Sequence, residues 1–216
     1  VRVVRRLLVQ RDSKHLLLRL CAGVLLGLGL FYFLAAWIEP LYERVVRISP
    51  AEQRALQRMI APPSGLRPLW LDLLTFALIP AVCEEVLFRG AILGALIPSL
   101  GEQPARAWRH LLPMVLLSGL LFGMIHLSWG RMVPTMLLGT SFAVAILRGG
   151  SLWTAMAMHA VNNALVVVMV RHGHLSFLTI GGSIKLGLLP LALVVTVAGW
   201  VLLGSHCPAH ESERDA

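Results

Sequence analysis

The chain has 216 residues, of which 57% are hydrophobic and only 14% charged, with a formal net charge of +8; an ordinary soluble domain carries about 25% charged residues. That balance argues against a soluble globular protein. It also speaks against nucleic acid as a partner: the basic residues are scattered over the N-terminus and the connecting segments without an aromatic-interleaved patch, and lipid headgroups and topology account for them.

A basic segment with Arg2, Arg5, Arg6, Arg11, Lys14 and Arg19 precedes an uncharged run over 20–38. The run is too long for a signal-peptide core and no small-residue cleavage site follows, so it reads as a retained first span. Within the mixed segment that follows, 50-PAEQRALQRMI-60 has the pattern of a short amphipathic helix at the interface, and Pro62, Pro63, Gly65 and Pro68 then break the chain. The next helix is expected over 69–97, with a kink at Pro80. A polar hinge, 98-PSLGEQPARAWRH-110, turns the chain back, and further spans are expected over 111–127, 132–147, 152–170 and 186–204. Cys21, Cys83 and Cys207 have no spacing that suggests a metal site or disulfide framework.

The fold class is therefore all-α: a polytopic transmembrane helix bundle of about six spans, with five to seven as the range. Three segments are expected. Residues 1–68 hold the basic segment, first span and interfacial helix, 69–170 the core, and 171–216 the last span and a polar tail. The basic N-terminal cluster places the N-terminus in the cytoplasm, and the expected location is a bacterial inner membrane.

Charged side chains at bilayer depth cost roughly 2.5–3.5 kcal/mol each on insertion scales, so they face a bundle interior and usually carry function. Of the acidic residues only Asp72, Glu84 and Glu85 fall within expected spans, and of the histidines only His126 and His159 lie deep in apolar sequence. Asn162 and Asn163 follow His159. Glu85 and Arg89, four apart with the acid first, suit a structural ion pair on one helix face, and Glu84 is turned away from Glu85 by about 100°. His159 and Asn163 share a face, as do Phe122 and His126. In an antiparallel hairpin Glu84 and His126 both lie roughly 20–24 Å from the shared turn and can be neighbours; His159, early in its span, fits that depth less well. A free carboxylate, two imidazoles and an amide on three helices form a general-base and donor set. The serine in 139-GTSF-142 lacks the second glycine of a rhomboid-type pattern, no two aspartates lie in separate spans, and there is no H-E-x-x-H.

Three motifs in order, 84-EEVLFR-89, 122-FGMIH-126 and 159-HAVNN-163, resemble E-E-x-x-x-R, F-x-x-x-H and H-x-x-x-N of the CPBP family of intramembrane proteases, also called the CAAX protease, Rce1-like or bacteriocin-processing family. The resemblance covers about 69–170. It implies a helical bundle that cleaves a membrane-associated peptide or protein near the bilayer surface, in CAAX-type, leader or sorting-signal processing. It further implies that Glu84 and His126 activate water, that His159 and Asn163 stabilise the oxyanion, and that Glu85 and Arg89 are supporting residues. No cofactor is favoured. If zinc is used, Glu84, His126 and His159 could supply two histidines and a carboxylate with an open position for water. Two alternatives from other classes are a non-catalytic membrane partner or immunity protein with the same fold, and a proton-coupled carrier.

Overall fold

The computed structural model describes residues 13–46, 49–60, 67–96, 108–149, 151–172 and 182–204. The expected N-terminal basic segment apart from Lys14 and Arg19, the hinge up to Ala107, the Pro62–Gly65 break, the polar tail and Cys207 lie outside them. Seven helices make up the described residues, and no strand occurs among them. We label them α1 (Ser13–Phe33, continued through Leu34–Ile38 and Glu39–Tyr42), α2 (Pro50–Ile60), α3 (continuous over 69–96), α4 (Trp108–Met124), α5 (Trp129–Gly149), α6 (Leu152–Arg171) and α7 (Gly182–Gly204).

Four stretches are long and apolar enough to cross a membrane: Leu16–Tyr42, Trp129–Arg148, Leu152–Arg171 and Leu186–Gly204. The other two expected spans are also helices, with a different character. Leu111–Met124 is shorter, and α3 carries Asp72, Glu84, Glu85 and Arg89. Side chains exposed on the bundle's outside are apolar, among them Leu78, Val82, Leu116, Leu120, Leu191 and Val197, which is the reverse of a soluble protein and suits lipid contact. The chain is an integral membrane helix bundle.

Proline and glycine shape it. Pro40 and Pro80 each lie second after a wide π turn, Leu34–Ile38 and Leu74–Leu78; a proline has no N–H for the carbonyl four residues earlier, and the preceding turn opens to accommodate this. A third π turn, Val86–Leu93, has no proline and buries Phe88, Arg89 and Gly90 in succession. Gly23 and Gly27 of α1 lie against α6, where a Cβ would come within 2.5 Å of the Thr154 carbonyl and 2.9 Å of the Met158 carbonyl. Gly119 and Gly123 seat α4 on α5 in the same way, against the Met136 and Met132 carbonyls. Such small-residue contacts let helix backbones approach where lipid provides no hydrophobic drive.

Helix α1 runs parallel to α6 and antiparallel to α7, as the Gly23–Thr154, Gly27–Met158, Gly29–Thr196 and Gly199–Leu26 approaches show. The main core joins Leu26 of α1, Phe88 of α3, Phe122 of α4, Phe142 and Ile146 of α5, and Ala155 and Met158 of α6. One end of the bundle gathers the C-termini of α1, α4 and α6, the N-termini of α3 and α5, and α2. The opposite end gathers the N-termini of α1, α4 and α6.

Candidate active site

Helix α3 delivers two adjacent carboxylates that meet different surroundings. Glu85 is 0% exposed, and its Oε1 accepts from Arg89 Nη1 at 2.9 Å and from His159 Nδ1 at 3.0 Å. Arg89, equally buried, donates from Nη2 to the Gly139 carbonyl at 2.6 Å. Its guanidinium lies among the rings of Phe122, Phe142 and Phe88 at 4.6, 5.3 and 5.8 Å. Position 139 has to be glycine for this reach, because a Cβ there would come within 2.9 Å of the Phe122 ring and 3.0 Å of Arg89 Nη2. The pair spans one helix turn and reaches a neighbouring backbone, so a buried cation is neutralised by a buried anion, with Glu85 Oε2 and Arg89 Nε left without hydrogen-bond partners.

Glu84 lies on another side of the same turn. Its side chain is 27% exposed, its Oε2 is buried without a hydrogen-bond partner, and that oxygen is 3.8 Å from His159 Nε2. His159 is thus set between the two carboxylates, stacked on Phe142 at 5.1 Å and edge-on to Phe122 at 5.5 Å. Since Glu85 is ion-paired and can only accept, His159 Nδ1 carries the proton of that bond and Nε2 faces Glu84.

His126 is not within a helix. Helix α4 stops at Met124, earlier than the expected 127, and His126 is exposed in the turn before α5. Its Nδ1 lies 2.9 Å from the Phe122 carbonyl; a carbonyl only accepts, so Nδ1 donates and Nε2 is the nitrogen left free. His126 and His159 lie on the same Phe122 ring, 5.1 and 5.5 Å from its centroid. The structure therefore brings Glu84, Glu85, Arg89 and His159 into direct contact and sets His126 one aromatic ring away, toward the α2 end. Asn163 is half-buried, one turn from His159 on the same face, and its amide has no hydrogen-bond partner among the described residues.

The adjacent asparagine is different. Asn162 is buried and donates to the Gly27 carbonyl at 3.1 Å and the Met158 carbonyl at 2.9 Å, tying α6 to α1. Sequence reading singled out Asn163 by its shared face with His159 and by the motif, but it found neither the partners of Asn162 nor those of Asp72. That carboxylate is fully buried and is bonded by both Arg67 and Arg171. Its signal was present: a lone acid in an apolar helix requires a cation, and Arg171 closes α6, whose C-terminus lies at the same end of the bundle as the start of α3. Asp72 opposite Arg171 and Glu85 opposite His159 are separated by similar lengths of α3 and α6, roughly 18–20 Å. These helices are antiparallel in a fixed register, which explains how His159 reaches the glutamates despite its early place in its span.

Among the described residues no three of His, Cys, Asp and Glu are grouped so as to hold a metal ion. His159 Nδ1 is engaged by Glu85 and His126 Nδ1 by a backbone carbonyl, which leaves Nε2 of each ring as the nitrogen open to a proton or a ligand.

Residues 66–165 match the family described as Type II CAAX prenyl endopeptidase Rce1-like. This part of the chain is Rce1-like. The Rce1-like region contains all three motifs and every residue of the contact set around Glu84 and His159. At the level of the family, it is that of a CAAX-type endopeptidase working in a membrane, with a protein or peptide as substrate. No curated protein and no solved structure matches the chain.

Proposed function

We propose that the protein hydrolyses a peptide bond of a membrane-associated substrate with a water activated by Glu84 and His126. The observation that carries this reading is the division of labour between adjacent carboxylates. Glu85 is fully buried, ion-paired to Arg89 through Oε1 and orients His159 with the same oxygen, while Glu84 has no arginine partner among the described residues, is 27% exposed and keeps Oε2 without a hydrogen bond, 3.8 Å from His159 Nε2. A general base needs such an acceptor. Glu84, assisted by the free Nε2 of His126, takes a proton as the water oxygen attacks the scissile carbonyl; the proton then passes to the departing amine as the C–N bond breaks. His159 and Asn163 donate to the oxyanion. For His159 Nε2 to donate while Nδ1 donates to Glu85, the ring carries a proton on each nitrogen. Fixed donors in a site of low dielectric are worth a few kcal/mol to a tetrahedral intermediate.

No step in this scheme uses a metal. The substrate could be a prenylated C-terminus, a leader peptide or a sorting signal. The test is purification in detergent, cleavage of a panel of lipidated and unlipidated peptides, and elemental analysis of the same sample. Cleavage by the wild-type protein, lost in Glu84→Ala and His126→Ala and accompanied by less than about a tenth of an equivalent of zinc, is the expected result. Cleavage that Glu84→Ala leaves intact overturns the assignment, and biological function retained by both variants indicates a non-catalytic membrane partner.

A further inference from the structure

Helix α2 lies before the Rce1-like match, yet it is fastened to both halves of the candidate site. Its start, 49-SPAE-52, is written like a capping box, and Ser49 Oγ does accept from the Glu52 backbone N–H at 3.1 Å. In such a box the glutamate side chain reaches back to the cap residue. Here Glu52 Oε1 instead accepts from the Ser128 hydroxyl, two residues past His126. The turn between them is unusual: Leu127 has φ 49°, a left-handed conformation that a leucine rarely adopts, and is 93% exposed. Tyr42 OH holds the next residue by donating to the Trp129 carbonyl at 2.7 Å. The other end of α2 is closed by Arg67, whose Nη2 donates to the Met59 and Ile60 carbonyls at 2.7 and 3.0 Å. Arg67 and Arg171 both bond Asp72, and Arg171 Nη2 also donates to the Arg67 carbonyl at 2.5 Å. Ile60, 3% exposed, packs on Val167 and Val170 of α6 and on Leu69 and Leu73 of α3.

We infer that α2 is a crossbar that positions His126 relative to Glu84 and His159, with Glu52 and Asp72 as its positioning residues. The α3/α6 pair carries Glu84 and His159, and the α4/α5 hairpin carries His126 at its tip. Without a tie at that end, a strained turn would be free to relax to an ordinary conformation and carry His126 away. This inference rests on the proposed hydrolytic role of His126 and Glu84, and it adds that residues before the Rce1-like region are needed for it. Near-attack geometry is sensitive: a displacement of about 1 Å can cost about 100-fold in rate.

The test is a replaceable tie. In a chain whose native cysteines are changed to alanine, Glu52→Cys with Ser128→Cys is oxidised to a disulfide and then reduced, and peptide cleavage is measured in both states alongside Glu52→Ala. The expected result is ready cross-linking, turnover close to the cysteine-free parent when oxidised, and a fall in kcat of about 10- to 100-fold with KM little changed after reduction, matching Glu52→Ala. A merely structural contact would not restore turnover reversibly. Failure to cross-link overturns the placement of α2. Full turnover in the reduced state and in Glu52→Ala overturns the positioning role, and a cross-linked form that is inactive identifies α2 as a lid that must lift. A wild-type chain that cleaves no peptide counts against the protease reading itself, a result distinct from these.

Discussion

Glu84 and Glu85 differ by one position in sequence and about 100° around the helix, and that rotation separates a carboxylate that is 27% exposed from one that is 0% exposed and ion-paired to Arg89. Replacing Arg89 by Met leaves Glu85 buried and uncompensated, so the variant should lose about 3–5 kcal/mol of stability, with part regained in the double variant Glu85→Gln/Arg89→Met; thermal unfolding in detergent of both proteins checks this. The twin asparagines make a second pair. Asn162→Ala removes two interhelical and intrahelical bonds and should cost about 1–3 kcal/mol, while Asn163→Ala should leave unfolding unchanged and lower kcat by about 100- to 1,000-fold. Measuring unfolding and turnover on each separates the roles. The i,i+4 relation of Glu85 and Arg89 was legible from spacing, because it is local. Gly139, Phe142 and Gly27 were not, because their parts depend on which helices touch.

At the scale of elements, hydrophobic runs located the helices and left their ends and irregularities open. Uncharged windows marked α1, α5, α6 and α7, since lipid demands continuous apolar helix. Pro80 was legible as a perturbation, though the chain answers it with a widened turn from Leu74 to Leu78. The π turn over Val86–Leu93 has no sequence mark except Gly90, and it is this turn that buries Phe88 and Arg89 side by side. Helix α4 ends at Met124 because the following turn is held by tertiary bonds that no local pattern encodes. Helix contact through glycine gives a prediction at this scale. A Cβ at Gly123 would meet the Met132 carbonyl at 2.6 Å and Met136 at 3.2 Å, so Gly123→Leu should part α4 from α5 and displace His126. Lowered thermal stability with loss of cleavage is expected, and the unfolding midpoint and turnover of the purified variant test it.

Across the whole molecule, the six tryptophans report where the bilayer ends. Trp37, Trp70 and Trp129 lie near helix termini at the α2 end, and Trp108, Trp153 and Trp200 near termini at the other. Trp37, Trp70, Trp129, Trp153 and Trp200 are outward-facing, from Trp200 at 38% to Trp129 at 76% exposed, which is the pattern of two aromatic belts. The turn with His126 and Leu127 is at the α2 belt, opposite the start of α1, and His159 lies roughly 18 Å below Arg171 on that side. A single cysteine at Leu127 in a cysteine-free chain should therefore react with an impermeant maleimide from the face opposite the start of α1. Labelling from the face where α1 starts would contradict this arrangement. The central claim is that Glu84 serves as the base while Glu85 holds the site, and peptide cleavage by purified Glu84→Gln tests it most directly. A correctly folded protein with turnover reduced at least about 100-fold is the predicted result, and a Glu84→Gln protein that cleaves at the wild-type rate would contradict it.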